Sequence, residues 1–351
     1  MRTELLDYDL PEHCIAKYPA ANRDGARMLV IQAGDVVDST IRDWPSMVPS
    51  GALVVVNDTK VFKARLIGVR RPTGGRVELL LLSRSQKALA TENRQMWHAI
   101  GRANKSIKVG TIIECPPLTA TVDALLPDGE LMVCLESSAP VLAGIDEVGH
   151  VPIPPYLGRA DESIDTERYQ TIFARESGSV AAPTAGLHLS ESIVQSLLSR
   201  NVRIGTVTLH VGVGTFRPVT APDLDLHHMH EESYAIDDCL AKEIAAARSR
   251  KASVVAVGTT VVRALESARD PLHPGYVVPQ KRSTNLLIQP GYDFQIVDGL
   301  LTNFHMPQST LLALVGAFAG LERVLDAYRT AVERGYRFLS YGDATWIPQR
   351  I

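Results

Sequence analysis

Long apolar runs are missing from this sequence. The longest, Leu311 to Leu321, is far short of the roughly 18 to 20 residues that span a bilayer, so no transmembrane helix is expected. The first residues also lack the basic, then apolar, then small-residue order of a secretory leader. Cysteine is scarce: Cys14, Cys115, Cys134 and Cys239 have no short spacing, so no zinc knuckle or disulfide framework is visible, and reduced thiols in a cytoplasmic protein are expected. Net charge is small, −3 at pH 7 with a pI near 6.4, which argues against a protein that coats nucleic acid indiscriminately. Internal repeats and low-complexity segments are also missing. What is present is the balance of a folded chain, with 45% hydrophobic and 21% charged residues and a mean hydropathy of +0.02. Its 351 residues exceed a comfortable single core, and at about 150 residues per domain two are expected, one of them an insertion.

Charge is uneven along the chain. Between Lys60 and Lys108 there are 12 Lys/Arg against Glu78 and Glu92, whereas Val109 to His150 holds 7 Asp/Glu and no Lys or Arg. On one face the first stretch would track phosphates. Alternatively, the two halves neutralise one another across a sheet. Both halves carry short β-favouring runs, at Val77 to Leu82, Met96 to Ile100, Thr111 to Glu114, Thr119 to Leu125 and Leu131 to Leu135, spaced as in a small barrel or sandwich. Pro127-Asp128-Gly129 between the last two predicts a hairpin. Pro140 to Val148 predicts a short helix stopped by Gly149. The proline-rich segment Val151 to Tyr156 predicts an extended connector leaving an inserted β domain.

After the connector the pattern becomes strand, loop, helix. Ser190 caps a predicted helix through Ser199, and a strand is predicted from Val202 to Val213. Asp237 or Asp238 caps a helix to about Arg250, Ser253 to Val257 reads as a buried strand, and Val261 to Ala268 as a helix. Ser309-Thr310 opens a long predicted helix ending before Gly335, its first half apolar all round and therefore buried. The expected fold is α/β: a large domain with a mostly parallel or mixed sheet flanked by helices, residues 1–61 and 151–351, plus an inserted small antiparallel β-barrel, residues 62–150.

Four segments concentrate chemistry. In Thr206 to Phe216 the alternation puts Thr206, Thr208 and His210 on one face, with His210 near a strand's carboxyl end, where α/β sheets bind ligands, and with Gly212 and Gly214 permitting close backbone approach. The competing reading is a core histidine beside a bulge. A dinucleotide fingerprint is disfavoured, because its third glycine would fall at Arg217. His227-His228-Met229-His230-Glu231-Glu232 could bind a metal or carry protons; it is not H-E-x-x-H and nothing completes a ligand set, so acid–base use ranks above metal and no metal is assigned. An extended chain would put His228, His230 and Glu232 on one face, a helix His227 and Glu231. Gly258-Thr259-Thr260, at a strand-to-helix junction, offers free N–H groups and hydroxyls to a carboxylate or phosphate, or simply caps the helix. Thr302-Asn303-Phe304-His305-Met306-Pro307 puts polar groups beside a buried helix, as a satisfied network or a substrate-reading loop.

Taken in order, these blocks resemble the S-adenosylmethionine:tRNA ribosyltransferase-isomerase family of queuosine biosynthesis. The likeness runs through Leu10 to Leu29, Asn57 to Leu66 (NDTKVFKARL), Gly74 to Leu80, Val180 to His188 (VAAPTAGLH), Thr208 to Val219 (TLHVGVGTFRPV), His227 to Glu232, Val257 to Ser267 (VGTTVVRALES), Thr302 to Gly320 and Ser340 to Ile347. Phe173, Leu189 and Gln289 depart from the usual family residues, changes on the scale of packing. The resemblance implies transfer and isomerisation of the ribosyl part of S-adenosylmethionine onto an aminomethyl-deazaguanine in a tRNA anticodon, giving epoxyqueuosine and releasing adenine and methionine. S-adenosylmethionine is then a consumed sugar donor, and no cofactor is expected. It also implies a large α/β domain with an inserted β-barrel. A sulfonium acidifies the adjacent ribose carbon, so the reaction needs a base there and a proton donor for adenine. His210, His230 and Glu232 are the candidates for those roles. Gly212, Gly214, Gly258, Thr259, Thr260, Asn303 and His305 are expected to hold the donor and read its base, and Lys60, Lys63, Arg65, Arg70, Arg71 and Arg76 to contact tRNA phosphates. A monomer is expected. The competing classes are a metal-dependent hydrolase, which chelator sensitivity would reveal, and a non-catalytic tRNA-binding protein.

Overall fold

Period-two alternation in the central strands divides their side chains between two cores. In the strand Leu53–Asn57, Leu53 and Val55 pack into one core while Val54 and Val56 pack into the other. The computed structural model describes residues 1–85, 91–212, 214 and 219–351. In chain order the strands are β1 (Arg27–Ile31), β2 (Val36–Thr40), β3 (Leu53–Asn57), β4 (Thr59–Val61), β5 (Arg65–Arg70), β6 (Arg76–Arg84), β7 (Arg94–Ala103), β8 (Ile112–Cys115), β9 (Leu118–Leu125) and β10 (Glu130–Ser137). They continue as β11 (Glu176–Ser179), β12 (Arg203–Leu209), β13 (Glu232–Ile236), β14 (Val254–Val257), β15 (Gln280–Thr284), β16 (Gly299–Asn303) and β17 (Ala344–Ile347). The helices are α1 (Trp44–Met47), α2 (Val141–Val148), α3 (Ser163–Arg168), α4 (Glu191–Ser199), α5 (Asp238–Ser249), α6 (Thr259–Ser267), α7 (Thr310–Ala319) and α8 (Leu321–Glu333).

The main sheet is mixed, in the order β15-β13-β12-β3-β14-β16-β17-β1-β2. Its centre, β12, β3, β14 and β16, is parallel, and antiparallel neighbours complete both sides. Helices α5 to α8 cover one face and α1 and α4 the other. Fully buried β3 and β14 fit a sheet covered on both faces.

A second sheet closes on itself as an antiparallel barrel, β10-β7-β6-β5-β8-β9, with β9 pairing β10. Its inward residues, among them Leu66, Val77, Leu79, Leu81, Ala99, Ile113, Val122 and Val133, form a separate core. The hairpin between β9 and β10 turns on Pro127–Gly129, where Gly129 takes φ +77°. Entry and exit of the barrel lie side by side, because Arg65 and His150 exchange both backbone hydrogen bonds, at 3.2 and 2.8 Å.

Local signals placed most helix starts. The Ser190, Asp237 and Ser309 side chains accept from the N–H groups of Ile193, Leu240 and Leu312. Two expectations are corrected. The long helix opened at Thr310 is two helices, broken at Gly320 with φ +83°, a conformation that only glycine adopts cheaply. The strand expected to reach Val213 leaves the sheet after Leu209, where Val211 forms an isolated bridge with Ala181; Val213 itself lies outside the described residues. All four cysteines are free thiols, and among the described residues no helix is long and apolar enough to cross a membrane.

Candidate active site at the carboxyl ends of the parallel strands

Strands β14 and β16 run parallel and release their chains at the same edge of the sheet. Gly258 follows β14 with φ +97°, a backbone conformation that glycine adopts without strain, and the Ala185 methyl packs beside it. A cleft of about 750 Å³ opens at this edge, lined by residues including Tyr156, Thr184, Val211, Gly258, Thr259, Thr260, Asn303, His305 and Ser340. Its place is where open α/β sheets bind ligands. Five of the seven residues expected to hold the donor therefore share one cavity.

Its polar groups are held in place but not all satisfied. The Asn303 amide nitrogen donates to the Leu339 carbonyl at 3.2 Å and to His188 Nε2 at 3.1 Å. Those two contacts use both amide hydrogens, and Asn303 Oδ1 is buried without a partner among the described residues. Thr260 Oγ1 is in the same condition. A buried polar atom without a partner loses the hydrogen bond it would make in water, so both atoms are suited to a ligand. The His305 ring lies 3.3 Å from the Tyr328 hydroxyl and 3.4 Å from that of Thr302. Burial pushes His305 down to about 3, and burial followed by the Arg337 charge pushes His188 down to about 4. Both rings are neutral at pH 7, so His305 can read a hydrogen-bonding edge but makes a poor proton carrier.

The remaining candidates divide between the two faces of the β12–β13 ladder. Glu232 lies on the cleft-side core: it is 4% exposed, its Oε1 accepts from the Gly212 N–H at 3.0 Å, and its Oε2 pairs with the equally buried Arg263. With both oxygens bound, Glu232 is better fitted to hold the turn at Gly212 than to collect a proton, which revises the role expected for it. His230 closes on the same turn, and a Cβ on Gly214 would fall 2.7 Å from its ring. Residues 227–231 are neither strand nor helix, with Glu232 opening β13.

His210 sits just past the end of β12, as expected, but alternation turns its ring to the opposite face. There it meets Thr59 Oγ1 at 2.8 Å and packs on Gly178, in a second hollow shared with Asp58, Thr208, Glu176 and Lys281. Burial lowers the His210 pKa and raises that of Asp58, whose Oδ1 accepts from the Thr208 hydroxyl at 2.7 Å. The structure therefore does not bring His210 into the cleft. Among the described residues no group of three or more His, Cys, Asp or Glu is arranged to hold a metal.

The basic stretch is only partly neutralised, with three of its six candidates paired to carboxylates. Arg71 pairs with Glu114, Arg65 with Glu78 at 3.4 Å and Lys63 with Asp146 at 3.8 Å, while Arg70 donates to the carbonyls of Lys105 and Ser106. Lys60 and Arg76 are exposed and have no carboxylate within 4 Å among the described residues.

Sequence reasoning passed over Thr184, Ser340, His188 and Arg263 as site residues. Arg263 had a local signal: it lies one helical turn after Thr259 on a helix buried over nearly its whole length, where a charge demands a partner. Thr184 and Ser340 reach the cleft through tertiary packing, and His188 stands behind it, against Asn303.

Known proteins resemble the chain along its full length. A Sorangium cellulosum protein named S-adenosylmethionine:tRNA ribosyltransferase-isomerase is 55% identical, over 99% of this chain and 98% of its own. One of the same name from Anaeromyxobacter dehalogenans (strain 2CP-C) is 46% identical over 100% of both. The solved structure of S-adenosylmethionine tRNA ribosyltransferase from Thermotoga maritima is 30% identical, with a TM-score of 0.54 over 98% of this chain and 99% of that one. The family model described as queuosine biosynthesis protein matches residues 3–347, and the chain belongs to that family.

Proposed function

We propose that this enzyme transfers and isomerises the ribosyl moiety of S-adenosylmethionine onto the aminomethyl-deazaguanine of a tRNA anticodon, giving epoxyqueuosine-tRNA with release of adenine and methionine. The observation that carries the reading is the cleft at the ends of β14 and β16, with Thr260 Oγ1 and Asn303 Oδ1 buried and unpartnered along its wall. Asn303 Oδ1 can only accept, which suits the exocyclic amine of adenine, and the Thr260 hydroxyl suits a ribose oxygen or the carboxylate of the methionine part. Neutral His305 offers a hydrogen bond without competing for the leaving proton.

The sulfonium polarises the adjoining ribose carbon, so its proton must go to a nearby base, and adenine must be protonated as it departs. In this reading His230 is the proton carrier, because it flanks the Gly214 turn and, among the described residues, is not locked in an ion pair. Glu232 and Arg263 fix that turn, and His210 supports the strand end from the other face through Thr59. The donor is consumed, so the reading requires no resident cofactor, and it needs only one copy of the chain.

Incubation with S-adenosylmethionine and precursor-bearing tRNA releases adenine and methionine in equal amounts, and omission of either substrate abolishes release. S-adenosylhomocysteine with methylated tRNA would overturn the reading. Thr260→Val and Asn303→Ala each lower kcat/KM for the donor by about fivefold, the scale of one hydrogen bond at about 1 kcal/mol. Unchanged values in both variants would remove the cleft from the donor's path.

A further inference from the structure

Three arginines beside the cleft make no side-chain ion pair among the described residues. Arg23, Arg168 and Arg337 line one hollow of about 290 Å³, which shares Ser340 with the cleft. Each guanidinium is anchored by main-chain carbonyls: Arg23 by Gln170 and Glu167, Arg168 by Ala20 and Ala21, and Arg337 by Tyr18 and Tyr341, at 2.7 to 3.2 Å. Among the described residues none of the three guanidinium groups has a carboxylate within 4 Å, although neighbouring Arg42 and Arg159 pair with Asp24 and Asp165; the Asp343 carboxylate accepts from the Arg337 backbone N–H at 2.8 Å and acts on its guanidinium only through space. The Glu167 side chain acts on Arg23 only through space, and Arg168 opposes it. Arg168 Nε is buried without a partner.

Carbonyls fix a guanidinium's position without cancelling its charge. Each of the three spends two of five N–H groups on its anchors and keeps the rest. All three are only half-buried. Like charges gathered this closely are unfavourable until an anion joins them. Arg23 and Arg168 also line a neighbouring open hollow, where Arg42 is paired with Asp24 and Glu167 adds a second carboxylate, so the unpaired positive charge is concentrated in the hollow beside the cleft. A single carboxylate would need one fork, whereas a row of forks matches successive phosphates.

We propose that Arg23, Arg168 and Arg337 bind the phosphodiester backbone of the tRNA and so bring the acceptor to the mouth of the donor cleft. This rests on the function proposed above, and it moves the main electrostatic contact from the barrel to the large domain.

The test measures binding of an unmodified tRNA transcript by fluorescence anisotropy between about 50 and 200 mM salt, without donor, so it is independent of turnover; adenine release by the wild-type enzyme is scored separately. Arg23→Gln, Arg168→Gln and Arg337→Gln each weaken binding several-fold and flatten the plot of log affinity against log salt by about 0.7 to 0.9, one phosphate contact. Arg→Lys at each position keeps the charge and restores most of the slope, which separates charge from anchoring. Arg329→Gln, the same charge change at an exposed residue paired with Asp326, leaves the slope unaltered. An unchanged slope in all three Gln variants, or an equal change in Arg329→Gln, overturns the proposal. So does a raised KM for S-adenosylmethionine at unchanged tRNA affinity, which would make the donor's carboxylate the anion.

Discussion

Acidification from pH 7 to pH 4 destabilises the protein by on the order of 5 kcal/mol through two histidines alone, a large part of the 5 to 15 kcal/mol by which a domain is normally stable. His188 and His305 are buried, and burial holds them at about 4 and about 3. In the unfolded chain both return to about 6.5. Above that value neither state carries the extra protons and these residues make stability independent of pH. Below it the unfolded chain binds protons that the folded form refuses, and each histidine subtracts about 1.4 kcal/mol per pH unit until its folded-state value is reached. Urea unfolding at pH 7, 6, 5.5 and 5 reads this as a proton uptake that rises towards two by pH 5, in a window above the titration of most carboxylates. His188→Gln removes about one proton from the slope. A flat profile from pH 7 to 5 would contradict the enclosed, neutral state of these rings.

Arg263→Met destabilises the fold by about 3 to 5 kcal/mol, because it leaves the Glu232 carboxylate buried without its charge partner. Glu232→Met is as harmful from the other side. The double variant loses much less than the sum of the two, since matched apolar side chains replace an ion pair whose charges were both desolvated. Activity behaves differently. The double variant still lacks the contact from Glu232 Oε1 to the Gly212 N–H, so the turn beside His230 is no longer held and turnover stays at least a hundredfold down. Chemical denaturation of the four proteins, with adenine release on each, makes the comparison. A double variant that is both stable and fully active would make the pair structural only.

The sequence carried much of this arrangement where the signals are local. Caps at Ser190, Asp237 and Ser309 fixed helix starts, and alternation located the barrel strands and the hairpin at Pro127–Gly129. Charge was misleading taken alone, because the partners of Arg65 and Arg71 are set by strand register: Val69 faces Glu114 and Ile67 faces Glu78 in the barrel. The same period of two that put His210 at a strand end also sends its ring away from Glu232, a separation that appears only once β13 is paired to β12. The break at Gly320 went unread because the apolar pattern continues through it. The arginine hollow joins residues more than 100 positions apart, so no window of sequence contains it.

The central claim is that the cleft at the ends of β14 and β16 holds S-adenosylmethionine. Photolabelling with its 8-azidoadenine analogue, followed by peptide mapping, tests this directly. The account predicts labels on the peptides containing Gly258 to Thr260 or Thr302 to Met306, suppressed by excess S-adenosylmethionine and lost in Asn303→Ala. Suppressible labelling confined to the barrel, or to the hollow around His210, would contradict it.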